Sequence, residues 1–133
     1  MWVHPMVTQS LPVVSVPLIL FSDDSSGNRS KKWNCFDVWY LLLGGLSKEE
    51  NAKIKNIHFL TCSNKASPLE LATPIVTDLL KMEKGVQMYD GSLGQQVIVV
   101  SHVICLLADN PRASDLLSHM GSAARKFCRL CMV

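Results

Sequence analysis

Pro17-Leu-Ile-Leu-Phe-Ser-Asp-Asp24 and Val103-Ile-Cys-Leu-Leu-Ala-Asp109 are the two stretches that decide the fold of this chain. Each is a short apolar run that ends in aspartate. Short, continuous apolar runs rich in β-favouring residues are typical of strands that are buried on both faces. We therefore predict two buried strands, with acidic turns at their C-terminal ends that carry Asp23, Asp24 and Asp109.

Two more strands are predicted between these stretches. Residues Ser22–Ser30 are dense in Ser, Asp, Gly and Asn, which favours a loop after the first strand. The apolar segments Phe36–Leu43 and Asn56–Cys62 then follow, each read as a strand. Three strands in succession with short connections predict an antiparallel meander.

A helix is predicted after the third strand. Ser67 has the properties of an N-cap, with Pro68 at the first helical position and Glu70 three residues after the cap. The apolar positions that follow have a helical period up to Gly85. Pro74 lies inside this pattern, so the helix either kinks or begins there.

The last part of the chain contains a hairpin, a strand and a second helix. Residues 86–100 favour a hairpin around Asp90-Gly91, and His102–Ala108 is an apolar run before Asp109. Periodicity also allows a single helix over Val97–Ala108. The segment Pro111–Met120 favours a helix with its proline near the start.

This order of elements predicts an α/β fold. Three strands as a meander, a helix and a further strand after an inserted hairpin are the front half of a ribonuclease H-like fold, here with a Cys-x-x-Cys tail. In that topology the first and fourth strands are neighbours, so Asp23 or Asp24 would lie near Asp109. Residues 1–15 are interpreted as a loose lead-in and residues 16–133 as a truncated ribonuclease H-like core.

Composition sets broad limits on the class of protein. At 133 residues the chain is one domain or part of a larger one, and 48% hydrophobic residues suffice for a core. A formal charge of +2 is too small to indicate nucleic-acid binding by itself. Basic residues do cluster at 29–32 and 125–129, where a solvated loop is the alternative interpretation.

Cysteine usage and the N-terminus indicate a reduced, intracellular protein. The cysteines number five, an odd count that argues against a disulfide framework. The N-terminus has no basic region, and the apolar run Leu11–Phe21 contains two prolines and is too short to span a bilayer. Cys35, Cys62 and Cys105 are expected to be small buried hydrophobic residues.

Five blocks of the sequence resemble a group of transposase-derived proteins common in fungal genomes and, more distantly, the transposases of CACTA-type elements. The resemblance extends from about Val16 to Val133 and depends on the order and spacing of the blocks. The blocks are Ser22–Asn34, Asn56–Leu60, Gly85–Asp90, Ala108–Ser114 and Phe127–Cys131.

The resemblance implies a ribonuclease H-like core in which three carboxylates bind two Mg²⁺ ions for DNA strand cleavage and transfer. It makes Asp23 the first carboxylate, with Asp24 as its competitor, and Asp109 the second. Cys128 and Cys131 match the Cys-x-x-Cys that follows the second aspartate in those families. The third carboxylate lies beyond the end of this chain, so we expect the chain to be inactive alone.

Each acidic or cysteine candidate also has a simpler interpretation. Asp23 and Asp24 are ordinary turn residues, and Asp109 is an ordinary N-cap before Pro111. Cys128 and Cys131 have the spacing of half a zinc site, and no second pair completes the four ligands that a structural Zn²⁺ needs. An exposed thiol pair is the alternative.

The basic and aromatic candidates also have two possible interpretations each. Arg29, Lys31 and Lys32 beside the first aspartate could contact DNA phosphates or be solvated loop residues. The strand aromatics could stack on bases, but their spacing favours burial in the core; they include Trp39, Tyr40 and Phe59.

Three functions are therefore compared. The first is a fragment of a transposase catalytic domain that uses Mg²⁺ on DNA in the nucleus. The second is a nucleic-acid- or protein-binding remnant without chemistry, and the third is a degenerate gene product without function. Neither a membrane nor a small-molecule cofactor is expected as a partner.

Overall fold

The computed structural model describes residues 11–26 and 35–121. In these residues a mixed α/β arrangement is formed by strands, helices and a 3-10 turn at Ile54–Asn56. The strands are β1 (Val13–Ser26), β2 (Cys35–Leu43), β3 (His58–Ser63), β4 (Val86–Asp90) and β5 (Gln95–Leu107), and the helices are α1 (Lys48–Asn51), α2 (Pro68–Lys84) and α3 (Asn110–Leu116). The predicted α/β class is confirmed.

The strands form one sheet in the order β3-β2-β1-β5-β4. The predicted meander is confirmed, since β1 pairs antiparallel with β2 and β2 pairs antiparallel with β3. On its other side β1 pairs with β5, and this pairing is parallel. A parallel pair needs a long crossover connection, and the chain supplies one that includes α2. The central strand β1 is thus the neighbour of the strand that leads into Asp109.

The first strand is longer than the sequence predicts. It begins at Val13, inside the segment interpreted as a lead-in, and it continues to Ser26. The prediction of a loop from Ser22 is wrong for residues 22–26, because they pair with β2 up to the pair of Ser26 with Cys35. Turn-forming side chains are tolerated here because the partner strand satisfies the backbone hydrogen bonds.

The fifth strand combines two predicted segments. The hairpin around Asp90-Gly91 is confirmed, since β4 pairs antiparallel with the start of β5. The strand does not end at the hairpin but continues to Leu107. The alternative of a helix over Val97–Ala108 is therefore wrong: this segment takes its backbone partners from β1 and β4.

Helix α2 begins where its capping residues predict. Ser67 accepts a hydrogen bond from the Glu70 amide, and the Glu70 carboxylate accepts one from the Ser67 amide at 2.7 Å. These reciprocal bonds form a capping box. The helix begins at Pro68 and continues past Pro74, so Pro74 does not mark its start.

The cap makes a testable contribution to stability. We expect Ser67→Ala to lower the free energy of unfolding by about 1 kcal/mol, since orphan amides lose their acceptor. The hydrogen bonds from Ser67 also hold the pKa of the Glu70 carboxyl below its usual value. Thermal unfolding and a carboxyl NMR titration measure both effects, with Ser67→Thr as the control that keeps the cap. Alanine keeps the backbone amide, which is the main cause of the lowered Glu70 pKa, so this pKa should rise only in part. An unchanged free energy of unfolding in Ser67→Ala would contradict the capping box.

The core lies mainly between the sheet and the helices. Trp39 is 3% exposed, and its indole N–H donates to the Pro68 carbonyl oxygen at 3.2 Å, which ties β2 to the start of α2. The other apolar residues that are buried within the described ranges are Leu18, Leu20, Val38, Val97 and Ile98. Several large apolar side chains remain exposed, among them Leu69, Val76 and Leu80 on α2. In the part of the chain that the structure describes, none of the helices has the length and apolar character to cross a membrane.

Candidate functional site

The candidate site lies where the parallel strands β1 and β5 approach their C-terminal ends. The last pair in their register is Phe21 with Leu107. Asp23 and Asp109 each follow that pair by two residues. Strand β5 ends at Leu107 and Asp109 then caps α3, so the two aspartates follow the last pair of two neighbouring strands. Of the two acidic candidates on β1, Asp23 has the same offset from the last strand pair as Asp109.

Each of these two carboxylates uses one oxygen for a local hydrogen bond. Oδ1 of Asp23 accepts from the amide of Asp24 at 2.8 Å. Oδ1 of Asp109 accepts from the amide of Arg112 at 2.8 Å, which makes Asp109 the N-cap of α3. Within the described residues, the second oxygen of each carboxylate carries no hydrogen bond or ion pair. Each aspartate therefore retains an oxygen that can bind a cation.

Asp24 belongs to the other face of the sheet. Successive strand residues point to opposite faces, so Asp23 and Asp24 diverge. Asp24 lies opposite Asp37 in the β1–β2 register, and its Oδ2 accepts from the Cys35 thiol at 3.4 Å. Which of Asp23 and Asp24 could be a metal ligand therefore depends on which face of the sheet carries the metal site.

An ion pair that the sequence did not reveal holds α3 against the sheet. Arg112 of α3 is 7% exposed, and its guanidinium donates to the carboxylate of Asp37 on β2. Asp115, on the next turn of α3, is a more distant partner at 3.9 Å. The Nε atom of Arg112 is buried without a hydrogen-bond partner among the described residues. Asp37 is thus the main compensation for a buried charge. An aspartate in the otherwise apolar run Phe36–Leu43 was the one signal of this pair in the sequence.

The described cysteines do not have the predicted environment. Cys35, Cys62 and Cys105 are exposed, so the prediction that they are buried is wrong. Desolvation and then the Asp24 carboxylate raise the pKa of the Cys35 thiol, which makes it a weak nucleophile.

The predicted metal ligands and DNA contacts are only partly placed. Every Asp and Glu of the sequence lies in the described residues, and among these residues no three His, Cys, Asp or Glu side chains are grouped to hold a metal. The predicted ligands and contacts that lie outside the described residues are Cys128, Cys131, Arg29, Lys31 and Lys32.

A row of aromatic rings crosses the sheet on the face opposite α2 and α3. Phe21 and Tyr40 are stacked with ring centroids 6.0 Å apart, and Tyr40 meets Phe59 edge to face at 6.0 Å. Trp39, which precedes Tyr40 on β2, points to the face that the helices cover. The expected burial is confirmed for Trp39 and wrong for Phe59, which is 58% exposed. Side chains alternate between the two faces of β2, so Trp39 and Tyr40 must point to opposite faces. The sequence could not show which of the two is buried, because β2 is apolar on both faces.

Comparisons of the chain with protein-family models, with curated proteins and with solved structures gave no match.

Proposed function

We propose that this chain contains part of a ribonuclease H-like core of the transposase type, in which Asp23 and Asp109 bind Mg²⁺. The observation that carries the proposal is the parallel pairing of β1 with β5 up to Phe21 and Leu107. This pairing makes neighbours of the two strands that lead into the aspartates that the resemblance assigns to the metal site.

The order of the sheet supports the proposal in a second way. A central strand with an antiparallel meander on one side and a parallel strand on the other is the arrangement expected of the front half of such a core. Its crossover includes a capped helix, α2, as the sequence predicts. The carboxyl ends of neighbouring strands are also where ligands bind in sheets with parallel pairs.

The residues fit one Mg²⁺ ion. Magnesium prefers oxygen ligands and often binds through one or two carboxylates, with water and substrate phosphates as the other ligands. Asp23 and Asp109 would supply one oxygen each, and their other oxygens keep the local hydrogen bonds that orient them. When bound, the ion would polarise a phosphodiester or a water molecule.

Metal binding is expected to depend on two carboxylates and not on their neighbours. We predict that Asp23→Asn and Asp109→Asn each weaken Mg²⁺ binding by about tenfold or more, since one of two charged ligands is lost. Asparagine is as good an N-cap as aspartate, so Asp109→Asn preserves the start of α3. Isothermal calorimetry, or amide chemical shifts during a Mg²⁺ titration, measures the change.

The matched controls are Asp24→Asn, which changes the other face of the same strand, and Asp78→Asn, which removes an exposed charge on α2. Both should bind Mg²⁺ as the unmodified chain does. Loss of binding in Asp24→Asn with retention in Asp23→Asn would place the ion on the wrong face for this proposal.

The same geometry gives an expectation for catalysis. Two-ion phosphoryl transfer normally requires more ligands than a pair of carboxylates provides. We expect the 133-residue chain to bind one ion and not to nick supercoiled plasmid in Mg²⁺. Nicking that Asp109→Asn abolishes would show that the site is complete, and so would overturn the expected inactivity while supporting the metal site.

A further inference from the structure

We propose that the aromatic row formed by Phe21, Tyr40 and Phe59 is a stacking platform for single-stranded nucleic acid. None of its three rings is a proposed metal ligand, and the inference does not depend on the metal proposal. The rings lie on three adjacent strands, and the described helices α2 and α3 contact the opposite face of the sheet.

The exposure of the rings increases toward the edge of the sheet. Phe21 and Tyr40 are half-buried, whereas Phe59 on the edge strand β3 is 58% exposed. The partly buried rings fix the orientation of their neighbour through ring contacts, and the outer ring offers its surface to a ligand. Bases stack on such side chains whatever the sequence, because every base has a flat aromatic face.

Charge supports nucleic acid as the occupant of this face. Exposed lysines lie before and after β3, at Lys55 and Lys65, close to the ends of the strand that carries Phe59. Asp23 lies on the same face, beyond Phe21 in β1, so the other end of the row is negative. A phosphate backbone is therefore expected to follow the β3 edge. Platforms for single strands combine aromatic rings with basic residues in this way.

The test is the affinity of the chain for fluorescein-labelled oligothymidylate and oligouridylate of about 12 nucleotides, a length within the usual site size. Fluorescence anisotropy is measured in EDTA, so that failure of the metal proposal cannot affect the result. We expect Phe59→Ala to weaken binding by about fivefold or more, and Phe59→Trp to restore it. Phe59→Leu should behave like alanine if stacking, and not apolar contact, is the cause.

The matched control is Leu69→Ala, an exposed apolar residue on α2 at 49% exposure, which should leave the affinity unchanged. Lys55→Gln should weaken binding and lower its dependence on salt, because one phosphate contact is lost. Binding to either oligonucleotide with this pattern of variants supports the platform. Three results would overturn it: no binding to either, equal affinity in Phe59→Leu and the unmodified chain, or a dimer in solution that Phe59→Ala dissociates.

Discussion

Replacing Trp39 with alanine is expected to lower the free energy of unfolding by about 3–5 kcal/mol, the usual cost of deleting a buried indole. Trp39 is 3% exposed and forms a hydrogen bond between β2 and the first residue of α2. The substitution removes both the apolar contacts of the indole and its hydrogen bond to α2. A single domain is stable by only about 5–15 kcal/mol, so the variant should be only marginally stable or largely unfolded.

Urea unfolding followed by circular dichroism measures this change. Trp39→Phe keeps most of the apolar area and loses the indole donor, so we expect a loss of about 1–2 kcal/mol. Phe59→Ala, on the open face, should cost about 1 kcal/mol or less because the ring is 58% exposed. A larger loss for Phe59 than for Trp39 would mean that the two faces of the sheet have been assigned the wrong way round.

Replacing Asp37 with alanine is the second large effect that we expect, at about 3 kcal/mol. Arg112 would keep its charge in a buried position without its main partner, and breaking a buried pair from one side typically costs about 3–5 kcal/mol. Part of the Asp37 side chain, 24%, reaches solvent, which places the estimate at the low end.

Two comparisons separate the ion pair from other effects of the substitution. The double variant Asp37→Leu with Arg112→Met removes both charges, and it should be more stable than Asp37→Ala because no charge is left buried. Asp78→Ala breaks the exposed pair with Lys81 and should cost about 1 kcal/mol or less. A similar loss in Asp78→Ala and Asp37→Ala would contradict the role given to burial.

Local sequence patterns predicted the elements that local interactions determine. The start of α2 follows from Ser67, Pro68 and Glu70, which contact one another within one turn. The hairpin of β4 and β5 follows from its turn residues at Asp90-Gly91. These features depend on neighbours in the chain, and so a single sequence contains the information.

Features that depend on distant partners were missed. The residues from Ser22 to Ser26 have turn-like side chains, but the pairing with β2 makes them strand. The ion pair of Asp37 and Arg112 joins residues 75 positions apart, and no spacing rule connects them. Which face of the sheet each strand residue occupies was also undetermined, because β2 is apolar on both sides. For the same reason, the sequence could not decide between Asp23 and Asp24 as the candidate ligand.

The neighbouring strands that carry the candidate site could be predicted from the sequence for a physical reason. A strand ending in aspartate is visible in sequence, and the parallel neighbour relation of β1 and β5 followed from the expected topology. The local hydrogen bonds that orient Asp23 and Asp109 depend on the backbone conformation after each strand position, which apolar patterning does not specify.

The most direct measurement is the pattern of NMR line broadening that Mn²⁺ causes when it replaces Mg²⁺. If Asp23 and Asp109 share a cation, substoichiometric Mn²⁺ should broaden the amide signals around both residues together, and Asp109→Asn should remove the effect at both. Broadening near only one of them, broadening centred on other carboxylates such as Glu49 and Asp90, or no localised effect would contradict a metal site at the ends of β1 and β5.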